Sequence, residues 1–175
     1  MQFDYCWNER QYLRAGFYDY LLGAQQGRRR LLLGVVLISL VALLAWKWLD
    51  RGFQLVDSVL IILGGVWLLA RTRLLLWMFR RSFHRSGQKD LQLHLELTEA
   101  ALRVQVDDHE PQDYPWSEME RIVQTERGFL IYPGPFWLPL DGLQGEVKAS
   151  EVAAFLKRQV ANYQDKSHYQ LKTSI

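Results

Sequence analysis

The sequence predicts a membrane α plus cytoplasmic α+β protein: a two-helix transmembrane hairpin followed by a small curled antiparallel sheet that a C-terminal helix closes. Three observations carry this expectation. The 175 residues are 49% hydrophobic overall, an ordinary globular share, yet the apolar residues concentrate in 31–79. Charge is split as well. Residues 1–89 carry 13 Lys and Arg against 5 Asp and Glu, and residues 90–175 carry 8 against 14, so +8 and −6 stand behind the formal net charge of +2. After Ser86-Gly87 the apolar repeat changes to a period of two, the repeat of a half-buried strand.

Residues 1–27 read as a strand and an amphipathic helix. Phe3, Tyr5 and Trp7 alternate with Asp4 and Cys6, giving a strand over Gln2 to Trp7. Asn8 can cap a helix from Glu9 to about Gln25. Its stripe is Tyr12, Leu13, Gly16, Phe17, Tyr20 and Leu21, with Arg10 and Arg14 beside it. It leads toward the membrane and is expected to be an interfacial or packing helix.

Residues 28–86 carry the two spans, at about 31–48 and 55–71, with the second helix extended to about 81. Leu31 to Trp46 is 16 residues without a charge, slightly short of the roughly 20 that cross about 30 Å of hydrocarbon. Arg30 and Lys47 can snorkel, and Trp46 and Trp48 suit the interfacial belt. In the second run Val59 to Ala70 is cleanly apolar, with Asp57 near one end and Arg71 and Arg73 near the other. An arginine at the bilayer centre costs about 2.5–3.5 kcal/mol on insertion scales, which sets the span between Leu55 and Arg71. Asp57 then sits at the far interface, where it reads as a helix cap; an ionisable residue in a span is also a functional hint. Arg28, Arg29, Arg30, Arg71, Arg73, Arg80, Arg81, Arg85 and Lys89 flank the spans on one side, and only Lys47 and Arg51 lie in the connection. The positive-inside rule therefore puts both termini in the cytoplasm. Gly34, Ser39 and Ala42, facing Gly64 and Gly65, would allow an antiparallel pair to approach closely.

Residues 87–163 form the cytoplasmic domain. "LQLHLEL" alternates strictly, "ALRVQV" repeats the pattern with Leu102, Val104 and Val106 inward, and Thr98-Glu99-Ala100 turns between them. "DDHEPQD" is a loop before a strand at Tyr114 to Trp116. Ser117 with Glu120 resembles a capping box. Arg121 to Thr125, Phe129 to Tyr132 and Phe136 to Leu138 are short strands, joined by a hairpin loop with Gly128 free to take positive φ and by Pro133-Gly134-Pro135. The aromatic residues here read as packing, and Trp116 as core. Ser150 is the expected N-cap of a helix with the stripe Val152, Phe155, Leu156, Val160 and Tyr163. Residues 164–175 form a polar tail.

Little in the chain points to catalysis. Cys6 is the only cysteine, so neither an internal disulfide nor a thiolate cluster can form. A cleavable signal peptide is not expected, because the first long apolar run begins only at Leu31. His84, His94, His109 and His168 show no i, i+4 helical pair and no HExxH. Asp107, Asp108, His109, Glu110 and Asp113 could hold a hard cation but lack the EF-hand spacing, and a solvated hairpin tip accounts for them. GxSxG, P-loop and GxGxxG motifs are absent from the sequence. No catalytic, cofactor-binding or metal residue is assigned and no cofactor is expected. The basic excess flanks the apolar helices and needs no nucleic acid to explain it.

The segments "LTEAALRVQV", "YPWSEMERIVQTERGFLIY", "FWLPLDGL" and "SEVAAFLKRQV", with Pro115-Trp116-Ser117 as their centre, resemble the YcxB-like family of bacterial membrane proteins. The likeness covers about residues 91 to 160, and the two-span anchor fits the family's layout. It implies a domain similar to bacterial pleckstrin-homology-like domains and a place in the bacterial inner membrane. Members commonly carry a basic residue or two after the last-strand proline, where this chain has Leu140 and Asp141 after Pro139. The expected role is a membrane-anchored, non-catalytic binding or regulatory module. Its partners would be the bilayer and a protein or a second copy, with neither nucleic acid nor a specific anionic lipid headgroup. The alternatives are an accessory subunit of a membrane enzyme or export complex, and an immunity protein against a membrane-acting toxin.

Overall fold

The computed structural model describes residues 1–23, 26–52 and 54–168, with the side chains of 26–30 and 51 outside that description. The chain forms two compact units, Met1–Leu22 with Arg80–Ile175, and Gly23–Phe79.

The first unit is built on two four-stranded sheets. In one, β1 (Gln2–Trp7), β2 (Leu91–Leu97), β3 (Ala101–Val106) and β4 (Gln112–Pro115) pair in chain order, all antiparallel. Strict alternation makes one face apolar and the other charged. The register sets Asp4 opposite His94, Glu96 opposite Arg103 and Arg103 opposite Asp113. The last pair is a two-pronged contact at 2.8 and 3.1 Å. The N-terminal strand is thus the edge of the same sheet as β2, and residues 1–22 fold with the C-terminal domain rather than as a piece of their own. Sequence spacing hid this because the partners stand some 90 residues apart, on either side of the apolar helices.

The second sheet has the order β7-β6-β5-β8, from β5 (Arg121–Gln124), β6 (Gly128–Tyr132), β7 (Phe136–Pro139) and β8 (Tyr163–Asp165). A single curled antiparallel sheet was expected; instead there are two, and β8 pairs with β5 in parallel. Tyr163 belongs to this edge strand, not to the last helix, which ends at Gln159. The polar residues 164 and 165 join the strand because an edge needs backbone groups more than apolar side chains. Of the tail expected over 164–175, residues 169–175 lie outside the described residues.

The strands of the second sheet are buried on both faces, which is why "FLIY" reads as a run rather than an alternation. Ile122, Phe129, Ile131 and Leu138 face Phe3, Leu95, Leu97, Leu102 and Trp116, together with Val152, Phe155, Leu156 and Val160 of α4 (Ala149–Gln159). On the other face Val123, Leu130 and Trp137 are covered by Ala15, Tyr18 and Leu22 of α1 (Glu9–Leu22). Asn8 caps α1 as expected, its Oδ1 accepting the Gln11 N–H at 3.0 Å. A polar chain, buried at Trp137 and Gln11 and open to solvent at Asp141, locks the helix down. Trp137 donates to Gln11 Oε1 at 2.9 Å, and Gln11 and Arg14 each donate to Asp141 at 2.9 Å.

Three local expectations are corrected. The turn Trp116–Glu118 is a 3-10 turn capped by backbone geometry at Pro115, without the Ser117–Glu120 side-chain box. The last helix is preceded by Lys148 rather than capped by Ser150, because the extended residue lies two positions earlier. Gly128 does not take positive φ. It is required instead by close approach, since a Cβ there would stand 2.7 and 2.9 Å from two atoms of the Trp137 ring.

The second unit is a helical hairpin of α2 (Gln26–Arg51) and α3 (Leu55–Arg85), whose last residues, from Arg80, belong to the first unit. Both helices are long and apolar enough to cross a membrane. Gly52 turns the chain at φ +71. Asp57 accepts the Gln54 N–H at 2.9 Å and the Lys47 ammonium at 2.5 Å, so it caps α3 and ties it to α2. Its side chain is fully buried by these contacts. The close glycine approach does not form: a Cβ on Gly34, Gly64 or Gly65 would meet nothing within 4 Å. Small residues permit backbones to approach but do not by themselves pull them together. α3 continues past the expected end near 81 to Arg85. There Phe83 is buried against the Tyr12 ring, 5.2 Å between centroids, and Arg80 pairs with Glu9 at 3.0 Å.

Candidate functional site

The apolar face of the first sheet is covered unevenly. At one end Leu97 and Leu102, paired in register, are buried beneath α4 and Trp116. One strand step along, Leu95 pairs with Val104, and a further step on, Leu93 pairs with Val106. Leu93, Val104 and Val106 are only half-buried. Among the described residues no helix lines this end, and the two sheets leave a groove of about 450 Å³ between them. That volume falls within the range of ligand pockets, about 300–1,000 Å³.

Each wall has a structural origin. β1 contributes Tyr5 and Trp7, and β7 with its preceding turn contributes Pro135, Phe136 and Trp137. Tyr114 of β4 meets Phe136 across the groove, with ring centroids 4.8 Å apart. The loop before β4 supplies His109 and Glu110 to the rim, and Gln112 opens β4 beside them. The polar groups are mostly engaged. Tyr5 donates its hydroxyl to the Trp137 carbonyl at 2.6 Å, and Tyr114 donates to Gln112 Oε1 at 2.8 Å. Burial, then the Asp141 carboxylate, pushes the Tyr5 hydroxyl well above its ordinary value, so it stays protonated at neutral pH. The described lining residues include no serine, threonine, cysteine, lysine or arginine. They offer aromatic and aliphatic contact area with a carboxylate at the rim.

A second hollow, of about 270 Å³, lies on the charged face of the same sheet. Its charged groups are paired: His94 with Asp4 at 2.7 Å, and Arg103 with Glu96 at 3.5 Å and with Asp113 beside the hollow. Arg103 holds the Asp113 carboxyl below the usual carboxylate range.

Of the residues weighed from sequence, Trp116 is buried as expected, its indole N–H donating to the Thr98 carbonyl at 2.9 Å. His84, His94 and His109 sit on different elements, bonded to Glu9, Asp4 and the Val106 carbonyl respectively. Among the described residues no group of three or more His, Cys, Asp or Glu side chains converges to hold a metal ion. Asp107 of the acidic loop accepts the Gln92 N–H at 2.7 Å, and Asp113 is taken by Arg103. Asp141, noted where a basic residue was the family expectation, receives Gln11 and Arg14 from α1. The groove itself went unread. The signal for it was an excess of period-two apolar positions in "LQLHLEL" and "ALRVQV" over what one short helix can cover.

No family model, no curated protein and no solved structure matches the chain.

Proposed function

We propose that the chain is a membrane-anchored, non-catalytic binding module of the bacterial inner membrane, with both termini in the cytoplasm, docking a protein partner in the groove between its sheets. The observation that carries this reading is the open apolar groove on a folded unit whose chain also supplies two exposed apolar helices. The charge pattern supports the membrane part. From Arg30 to Lys47 and from Asp57 to Arg73 the helices run 17 and 16 residues, about 24–26 Å each at 1.5 Å per residue. The Lys47–Asp57 pair then marks one interface and the arginines the other. We read the two-sheet unit closed by α4 as the pleckstrin-homology-like domain that the YcxB-like resemblance implies. Lipid headgroups are not its ligand on this reading, because residues 90–175 carry −6 and each basic residue near an anionic leaflet contributes only about 1 kcal/mol.

Two measurements test it. In a Cys6→Ser background, a cysteine at Arg51 should be labelled from the periplasmic side and one at Glu146 should not; the reverse overturns the orientation. A photo-crosslinking residue at Val106, inside the groove, should give a discrete protein adduct in cells, while one at Gln105, on the opposite face, should not. Equal adducts at both, or lipid adducts alone, overturn the docking reading.

A further inference from the structure

We infer that the groove takes an extended apolar segment of a partner protein that carries Lys or Arg beside its anchoring side chain. This rests on the docking reading above and adds the chemistry of the occupant. The argument is one of charge and shape. Glu110 lines the groove, and Asp108 stands two residues before it on the same exposed loop. The neighbouring acids are already used, Asp107 of the loop by the Gln92 N–H and Asp113 of β4 by Arg103. Glu110 therefore remains as a carboxylate facing solvent at the mouth, with exposed Asp108 two residues away, and no lysine or arginine among the described lining residues offsets it.

An apolar guest with a negative group, such as a fatty acid or an anionic lipid, would bring like charges together at this rim. A guest with a positive group beside its apolar anchor meets opposite charge within the Debye length of about 8 Å at physiological salt. The walls are aromatic and aliphatic, with Trp7, Tyr114 and Phe136 among them, and large flat side chains are the usual anchors in such surfaces. The shape favours an extended chain. β4, which supplies Gln112 and Tyr114, is an edge strand with a hydrogen-bonded neighbour on one side only. Such an edge can pair with an added strand while alternate side chains enter the groove.

The test uses the full chain in mild detergent and three fluorescent nonapeptides with one central tryptophan, flanked by four lysines, four glutamines or four glutamates. The lysine peptide should bind most tightly, the glutamate peptide at least about ten-fold more weakly, and the difference should shrink with salt. Asp108→Asn with Glu110→Gln, both on the exposed loop, should cost the lysine peptide about ten-fold, two surface pairs acting together, and leave the glutamine peptide unchanged. Val106→Glu, placed inside the groove, should weaken the glutamine peptide as well. Equal binding of all three peptides would overturn the inference and leave the docking reading intact. Binding of none, by the full chain and by a chain ending at residue 168 alike, would overturn both. Binding of the lysine peptide only after removal of 169–175 would assign the groove to the chain's own end. Binding only on dilution would assign it to a second copy. Either result overturns a separate partner.

Discussion

In the sheet unit Leu130, Ile131 and Leu138 have no exposed surface, whereas Leu49 and Leu69 of the helical hairpin stand 88% and 82% exposed. The same residue type serves two solvents. In the first unit apolar side chains meet each other across two sheets and two helices. Gln11, a buried polar side chain among them, is held by Trp137 and Asp141. In the second, most apolar side chains between Leu31 and Met78 point outward, and the buried acid, Asp57, is tied to Lys47 at the turn. The contrast teaches where specificity lies. Removing a side chain should matter in the first unit through packing, and in the second only where it touches the turn.

The largest separation between the units should come from alkali. All eight tyrosines lie outside 23–79. Burial, then the hydrogen bond to Asp19, raises the Tyr132 hydroxyl; burial, then Asp141, raises Tyr5; burial, then Asp165, pushes Tyr163 up to about 12. Folded values above the unfolded value of about 10 mean that stability is fully present below pH ~10 and is lost as pH rises toward the folded values. Tyrosinate absorbance and circular dichroism, followed together, should show near-UV signal disappearing as the buried tyrosines ionise, with most helical signal kept. Loss of the helical signal at the same pH would break the comparison.

Next come paired truncations of tryptophan. Trp137 is buried, stacks on Tyr18 with centroids 5.6 Å apart, and donates to Gln11. Trp116 is buried against Phe155. Trp137→Ala or Trp116→Ala should each cost about 3–5 kcal/mol in the sheet unit. Trp46→Ala, at a side chain 71% exposed, should stay within about 0.5 kcal/mol in detergent. Chemical denaturation of the full chain measures all three, and similar costs would deny that the units differ in packing.

What was legible in the sequence follows the same division. The two apolar helices and the strands from Leu91 to Pro139 announce themselves through local period and composition, and so does Trp116 as a core residue. The parts that were missed depend on partners distant in the chain. β1 finds β2 across the whole hairpin, and β8 returns to β5 after α4. A tyrosine and two polar residues at an edge are too short a run to carry a periodic signature. The groove was hidden for a related reason: Leu93 and Val106 look like any inward strand positions until the reach of α4 is known. Asp141 was noticed as unusual, yet its use, holding Gln11 and Arg14, needed α1 to be laid on the second sheet.

Glycine to alanine should act with opposite sign in the two units. At Gly128 a Cβ would press on the Trp137 ring at 2.7 Å and on the Leu138 carbonyl. The strand cannot retreat because it is paired on both sides, so Gly128→Ala should cost about 1–3 kcal/mol, as overpacking does. At Gly64 a Cβ meets nothing within 4 Å, and alanine is the better helix former by about 1 kcal/mol. Gly64→Ala should leave the hairpin unchanged or slightly steadier. A loss of stability there would mean that the helices approach each other at the glycines after all.

The smallest effect concerns the charged face of the first sheet, where the unit meets water through ion pairs rather than apolar contact. Arg103 reaches Asp113 at 2.8 and 3.1 Å, and this hydrogen bond lowers the Asp113 carboxyl value below that of an unfolded chain. A depressed folded value means that the pair contributes above the unfolded carboxylate value of about 3.9 and is lost as pH falls through the folded value. Both side chains are substantially exposed, so salt and solvent weaken the pair. Asp113→Asn should therefore lower stability slightly at pH 7 and progressively less as pH falls through the folded value, which makes the acid limb shallower than that of the parent chain. Added salt should bring the two limbs together. An unchanged acid limb would show that the pair orders the strand edge without stabilising it, leaving the apolar face alone to distinguish this unit from the hairpin.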